Sequence, residues 1–228
     1  MKEFVKMTKK ELIAFILAAI TSGIMIGLSG TAALMARAKL GDFGGIVGAC
    51  LFSLGIFAII TFELRLFTGM VADIPTMGLK NTWKLPVCFL GNIFGVGIVA
   101  LLVYFTSLRT ALVEQATAIS NAKLAGNWPV QALCSAILCG VLITISVWAA
   151  THSPRKGLDA TLGVTLPIIV FAFCGFDHSV ANVLYFYLSG TFGWKTILYE
   201  LICVIGNIIG GVILPLVHVY REKAKNHD

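Results

Sequence analysis

Apolar residues run along this chain in long blocks, not in the one-sided stripes of a soluble helix. A helix needs about 20 apolar residues to cross a bilayer. Uninterrupted blocks of that kind lie at about 11–35, 85–108, 128–150 and 195–218. Two more are interrupted. One runs from about 44 to 64, breaks, and continues to about 79; the other covers about 158–174, breaks, and resumes to 188. The pattern predicts an all-α membrane protein with six transmembrane helices, the second and fifth of them broken.

Polar residues enter apolar surroundings at the two breaks, "LRLFTGM" (64–70) and "GFDHSVAN" (175–182). Irregular backbone at membrane depth is tolerated only where protein buries it or water reaches it. An internal repeat relates the two segments. "GNIFGVGI" begins at 91 and "GNIIGGVI" at 206, identical at five of eight positions and offset by 115, half the chain. Three spans per half is an odd number, so the halves have opposite orientation, a device of channels and transporters with sites near the midplane. Small residues at this spacing also serve ordinary close packing of membrane helices. The expected organisation is a single transmembrane channel domain, 1–228, with inverted halves at about 11–108 and 128–218. The same offset sets position 66 opposite 181, so the two breaks should meet near the bilayer centre.

Composition sharpens this picture. Of 228 residues, 58% are hydrophobic and 12% charged, and the mean hydropathy is +0.92; soluble domains carry about 25% charged residues. A soluble α/β protein is thereby disfavoured, and no cleavable signal peptide is expected. The net charge of +6 lies mostly in short loops between apolar runs. It therefore reports topology and gives no reason to expect a nucleic-acid partner. With both termini inside, eleven basic residues (Lys2, Lys6, Lys9, Lys10, Lys80, Lys84, Arg155, Lys156, Arg221, Lys223, Lys225) face the cytoplasm. Five (Arg37, Lys39, Arg109, Lys123, Lys195) face out. That bias fits the positive-inside rule and predicts a multi-pass protein of the plasma (inner) membrane with cytoplasmic termini. The basic segment "KEFVKMTKKE" could lie along the cytoplasmic interface as a pH-sensitive lid. Six cysteines (Cys50, Cys88, Cys134, Cys139, Cys174, Cys203) sit in apolar runs without a C-x-x-C pair. They read as small buried hydrophobes, and no metal or cofactor is expected.

His178 is the sharpest chemical signal, the single His inside a span. Imidazole titrates near pH 6.5 and exchanges protons readily, and intramembrane ionisable groups are functional by default; the plain alternative is a His bonded to a facing carbonyl. Asp177 is expected to cap the second half-helix. Ser179 completes a Ser-His-Asp set in composition only, since three consecutive residues do not form a nucleophile–base–orienter chain. Thr68 brings a hydroxyl to the first break, able to bond an ion or the opposing His. Leu66 and Phe67 fit a hydrophobic constriction and fit ordinary packing equally. Lys123 draws anions to an outer mouth or, as spacing alone favours, is a solvated loop charge. Arg65 either snorkels or pairs with Glu63.

At "LFTG", "GFDHSVAN" and the twin "GN-I-x-G" elements, the sequence resembles the formate/nitrite transporter family over nearly its whole length, and within it most closely the hydrosulfide-channel branch. The resemblance implies an aquaporin-like inverted-repeat fold assembled as a homopentamer, each protomer with its own pore for small monovalent weak-acid anions. Carried over by motif, the central histidine is His178, the loop threonine Thr68, the external basic residue Lys123 and the sixth-span asparagine Asn207. The constriction positions are Leu66, Phe67, Phe52, Ile143 and Phe171, with Ile56 matching less specifically. Three positions depart from the family pattern: Arg65 stands where an acid is usual, Cys139-Gly140 replaces a common Cys-Asn pair, and Asp177 replaces Glu.

The function expected is a channel or transporter for such anions, hydrosulfide first by resemblance. Formate, nitrite and a proton-coupled secondary transporter are the alternatives. Lys123 and the positive ends of the half-helices would gather the anion, and His178 and Thr68 would contact it between apolar rings, with His178 able to lend a proton. A neutral-solute channel is opposed by the absence of paired Asn-Pro-Ala elements. A membrane enzyme lacks a second acid–base partner or metal-ligand spacing in the spans.

Overall fold

A computed structural model describes residues 7–152 and 157–225. The N-terminal six residues, with half of the segment expected to act as a lid, and Arg155 and Lys156 of the charge count lie outside the described residues. Among the described residues ten α-helices follow one another: α1 (Lys9–Leu40), α2 (Gly44–Thr61), α3 (Phe67–Met70), α4 (Ile74–Met77), α5 (Lys84–Tyr104), α6 (Arg109–Lys123), α7 (Trp128–His152), α8 (Leu158–Cys174), α9 (Ser179–Ser189) and α10 (Trp194–Lys225).

Helix α1 is longer than its apolar block because both ends carry explicit signals. Thr8 Oγ1 accepts the Glu11 N–H, and the Glu11 carboxylate accepts the Thr8 N–H, a reciprocal capping box. Gly41, with φ of +53°, ends the helix beyond Arg37 and Lys39. After the turn Gly41–Phe43, α2 runs back along α1. Gly44 abuts Ala36 and Arg37, Gly48 abuts Ala33, and Gly55 abuts Ser29 and Met25, a falling register that fixes an antiparallel hairpin.

Among the described residues, four stretches are long and apolar enough to cross a membrane: Lys9–Thr61, Leu79–Tyr104, Trp128–Thr151 and Trp194–Lys225. The first of these contains the hairpin. A fifth is the pair Thr161–Cys174 and Ser179–Ser189, bent by 45° at a short break. Helices α2 and α3 are separated by the break at 62–66, and α3 with α4 makes only a short stub.

The repeat at an offset of 115 is visible in the packing of α1 on α5 and of α7 on α10. A Cβ at Gly95 would sit 2.0 Å from the Ile20 carbonyl oxygen, and one at Gly210 would sit 2.0 Å from that of Ile137. A Cβ at Gly91 meets Ala19 as one at Gly206 meets Ala136. Gly23 lies against the Asn92 carbonyl, and Gly140 against that of Asn207. No other residue permits these approaches without moving the helices apart.

The connection between the third and fourth apolar blocks, where Lys123 is expected in an external loop, is mostly helical: 109–123 form α6. Its buried residues, Leu112, Ala116 and Ser120, recur every four positions on one face. The other face is polar, so the segment carried no signal in a search for spans.

Candidate functional site

Each break is stitched by an asparagine from the helix behind it. At the first, the Phe67 N–H donates to Asn92 Oδ1 at 2.8 Å, while Asn92 Nδ2 donates to the carbonyls of Ala19 and Arg65 at 2.8 and 2.9 Å. At the second, the Ser179 N–H donates to Asn207 Oδ1 at 2.9 Å, while Asn207 Nδ2 donates to the carbonyls of Ala136 and Asp177 at 2.9 and 2.8 Å. Both asparagines are fully buried. Without them the breaks would leave backbone donors and acceptors unpaired in an apolar interior. Asn207, implied by resemblance alone, ties the second break through these hydrogen bonds. Asn92 was missed, although it occupies the matching place in the repeat "GN-I-x-G".

The repeat also sets the register of the breaks, at an offset of 112 rather than 115. Leu64 N–H donates to the Ile59 carbonyl as Phe176 N–H donates to that of Phe171. The left-handed residue is Glu63 in one and Gly175 in the other. Position 66 therefore lies opposite 178, and Arg65 opposite Asp177. Insertions between the helices shift the register by a few residues, which a single offset does not capture.

His178, not Asp177, caps the second half-helix. Its Nδ1 accepts the Ala181 N–H at 3.1 Å, and its Nε2 lies 2.9 Å from Thr68 Oγ1 across the two breaks. A ring nitrogen that accepts a backbone N–H carries no proton of its own. The neutral ring then holds its proton on Nε2, which donates to Thr68 and leaves the Thr68 hydroxyl proton free to donate elsewhere. Both side chains are 1% exposed. The Ser179 hydroxyl has no hydrogen-bond partner among the described residues, so the imidazole does not address it as a base.

Asp177 is released from capping for a different task. Its Oδ1 accepts from Lys123 Nζ at 2.5 Å, from the Tyr199 hydroxyl at 2.6 Å and from Asn182 Nδ2 at 3.1 Å. Lys123 is thus no solvated loop charge: its side chain is 12% exposed and belongs to a buried ion pair at the end of α6.

A cavity of about 380 Å³ opens beside this network. Arg37, Lys123 and Gln131 line it together with Asp177, Phe52, Phe171 and His178. The Phe52 and Phe171 rings meet edge to face at 5.5 Å, and Phe171 stacks on the His178 ring at 5.7 Å. Five of the expected site residues (Lys123, Asp177, Phe52, Phe171, His178) therefore share one cavity. Thr68 lies behind His178, and Leu66, Ile56 and Ile143 are buried in the same apolar core. Phe67 packs against Phe89 of α5, with centroids 5.0 Å apart.

Of the two readings of Arg65, the structure agrees with an outward-reaching side chain: it is exposed and makes no ion pair with Glu63, and its carbonyl, not its guanidinium, enters the site. One further expectation needs correction. Only Cys88, Cys139 and Cys203 are buried, whereas Cys50, Cys134 and Cys174 are exposed on the apolar outer surface of their helices. The half-helix ends also offer less to an ion than expected, because the Phe67, Ser179 and Ala181 N–H groups already have internal acceptors.

Comparison with known proteins places this geometry. A family profile described as formate/nitrite transporter matches residues 1–221. The transporter YrhG of Bacillus subtilis (strain 168) is 27% identical over 192 residues, covering 76% of this chain and 70% of its own length. The formate channel FocA of Escherichia coli (strain K12) is 30% identical over 194 residues, covering 78% of this chain and 66% of its own length. A solved structure described as a pentameric formate channel with formate bound superposes with a TM-score of 0.78 at 23% identity, covering 96% of this chain and 99% of that one.

Proposed function

Since this chain belongs to the formate/nitrite transporter family, we propose that it is a membrane channel for small monovalent anions of weak acids, with hydrosulfide as the first substrate and formate and nitrite as the alternatives. The chain forms one channel domain of six crossings in the inner membrane, with both termini cytoplasmic and the cavity opening outward. Five copies associate, each with its own pore. The pentameric neighbour supports the assembly, and the bias of basic residues supports the orientation.

The observation that carries this reading is the Thr68–His178 contact of 2.9 Å between the two broken helices, directly below the Phe52–Phe171 edge of the cavity. A bare charge at mid-bilayer costs at least about 2.5–3.5 kcal/mol. An anion that passes the two phenyl rings meets a hydroxyl donor whose oxygen is itself bonded to the imidazole Nε2–H, a polarised chain in an apolar slit. His178 serves as an orienting donor in this state. To act as a proton donor it must first gain a proton on Nδ1, which breaks the Ala181 cap, a loss of about 0.5–2 kcal/mol. Weak acids suit such a site because they take up a proton where the charge becomes costly.

Liposome flux tests the reading directly, with formate, nitrite and hydrosulfide compared side by side across pH. Selective passage of one or more of these, rising as pH falls, is the expected result. Flux of a neutral solute such as glycerol with none of the three anions would overturn it. A His178→Phe variant with unaltered anion flux and pH profile would remove the imidazole from the mechanism.

A further inference from the structure

The cavity above the Thr68–His178 contact carries a net positive charge whose source is not the buried lysine. Lys123 Nζ and Asp177 Oδ1 are 2.5 Å apart with side chains 12% and 6% exposed, so beyond a few ångströms the two charges cancel. Tyr199 and Asn182 complete the carboxylate's shell from within. A lysine so held is part of the wall. The remaining formal charge on the lining is Arg37, in the last turn of α1. Among the described residues its guanidinium has no ion pair or hydrogen bond, and it is half-buried. A guanidinium is weakly hydrated, so it releases water to an anion more readily than an ammonium does.

We propose that Arg37 is the cation that gathers anions into this cavity and sets their rate of capture, and that Lys123 holds Asp177 in place instead. The inference rests on the anion-channel reading above and assigns its outer recognition step. Low-dielectric walls of Phe52, Phe171 and Ala49 focus the field of a single cation along the cavity. Among the described residues the one carboxylate on the cavity lining, Asp177, is already taken by Lys123. A plainer role for Arg37 is to satisfy the negative end of α1. Lys39 shares that last turn but does not line the cavity, so it separates the two roles.

The test is the initial rate of anion uptake by proteoliposomes at sub-saturating anion, for the wild type and for Arg37→Lys, Arg37→Gln, Arg37→Glu and Lys39→Gln. Ionic strength is varied between about 0.01 and 1 M, which shortens the screening length from about 30 to 3 Å. At low ionic strength the rate should follow the charge at position 37. Arg37→Lys stays near wild type, Arg37→Gln falls by about threefold or more, and Arg37→Glu falls by about tenfold or more. These differences should collapse at high salt, and Lys39→Gln should match the wild type throughout. The wild-type rate itself should drop as salt rises, a readout that needs no variant to fold. Arg37→Gln with wild-type rates and salt dependence, or Lys39→Gln with an equal loss, would overturn the inference alone. A wild type that passes none of the three anions would overturn the channel reading and this inference with it.

Discussion

The two breaks are built alike and used differently. Both end a long helix with a left-handed residue, both bend the chain into a shorter helix, and both are fastened by an asparagine making three hydrogen bonds. At the first break the residue before the short helix is Leu66, preceded by the exposed Arg65. At the second the same places hold His178, which caps its helix, and Asp177, which gathers Lys123, Tyr199 and Asn182. The repeated parts hold backbone in an apolar interior. The parts that differ carry the chemistry, so one half lends a hydroxyl and an apolar plug while the other lends an imidazole and a charge network.

The largest asymmetry is in charge. Asp177→Ala strands a buried lysine and should cost about 3–5 kcal/mol, whereas Arg65→Ala, at the matching place, should stay within about 0.5 kcal/mol. Thermal unfolding in detergent measures both, and equal losses would erase the distinction. Next comes the shared fastening. Asn92→Ala and Asn207→Ala each leave one buried N–H unpaired and take a hydrogen bond from two carbonyls, a cost of about 1–3 kcal/mol. The two losses should agree to within about 1 kcal/mol. A much smaller loss for Asn92 would mean that the first break is held by something else. The smallest effect concerns the left-handed residue. Glu63 has φ of +52° and Gly175 has φ of +71° with no atom near its would-be Cβ. A residue with a Cβ costs about 1–2 kcal/mol in that conformation. Glu63→Gly should therefore stabilise the protein by about 1 kcal/mol and Gly175→Ala should destabilise it by a similar amount, again by thermal unfolding.

Much of this architecture was legible beforehand. Apolar block length located the long helices, and the duplicated "GN-I-x-G" announced the matched contacts of α1 with α5 and of α7 with α10, because close helix packing permits so few residues at those positions. The facing of Thr68 and His178 followed from bringing two breaks together. What escaped had physical reasons. Helix α6 buries a narrow face of Leu112, Ala116 and Ser120 and is otherwise polar, so hydropathy passes over it. Asp is the better general N-cap, yet Asp177 has an ion-pair partner 54 positions away that no local pattern reveals. His178 takes the cap in its place. Asn92 was available to a reader who applied the repeat to polar residues as well as to glycines. Exposure of three of the six cysteines depends on which side of each helix faces outward, which blocks of uniform hydrophobicity do not encode.

The central claim is that the polar contact joining the two breaks is what an anion meets at the centre of the pore. Thr68→Val tests it most directly, since it removes the hydroxyl while keeping the volume. Initial anion flux into liposomes, at matched protein incorporation, should fall by about tenfold to a hundredfold, the worth of one hydrogen bond to a charged group. Wild-type flux through Thr68→Val would contradict the claim.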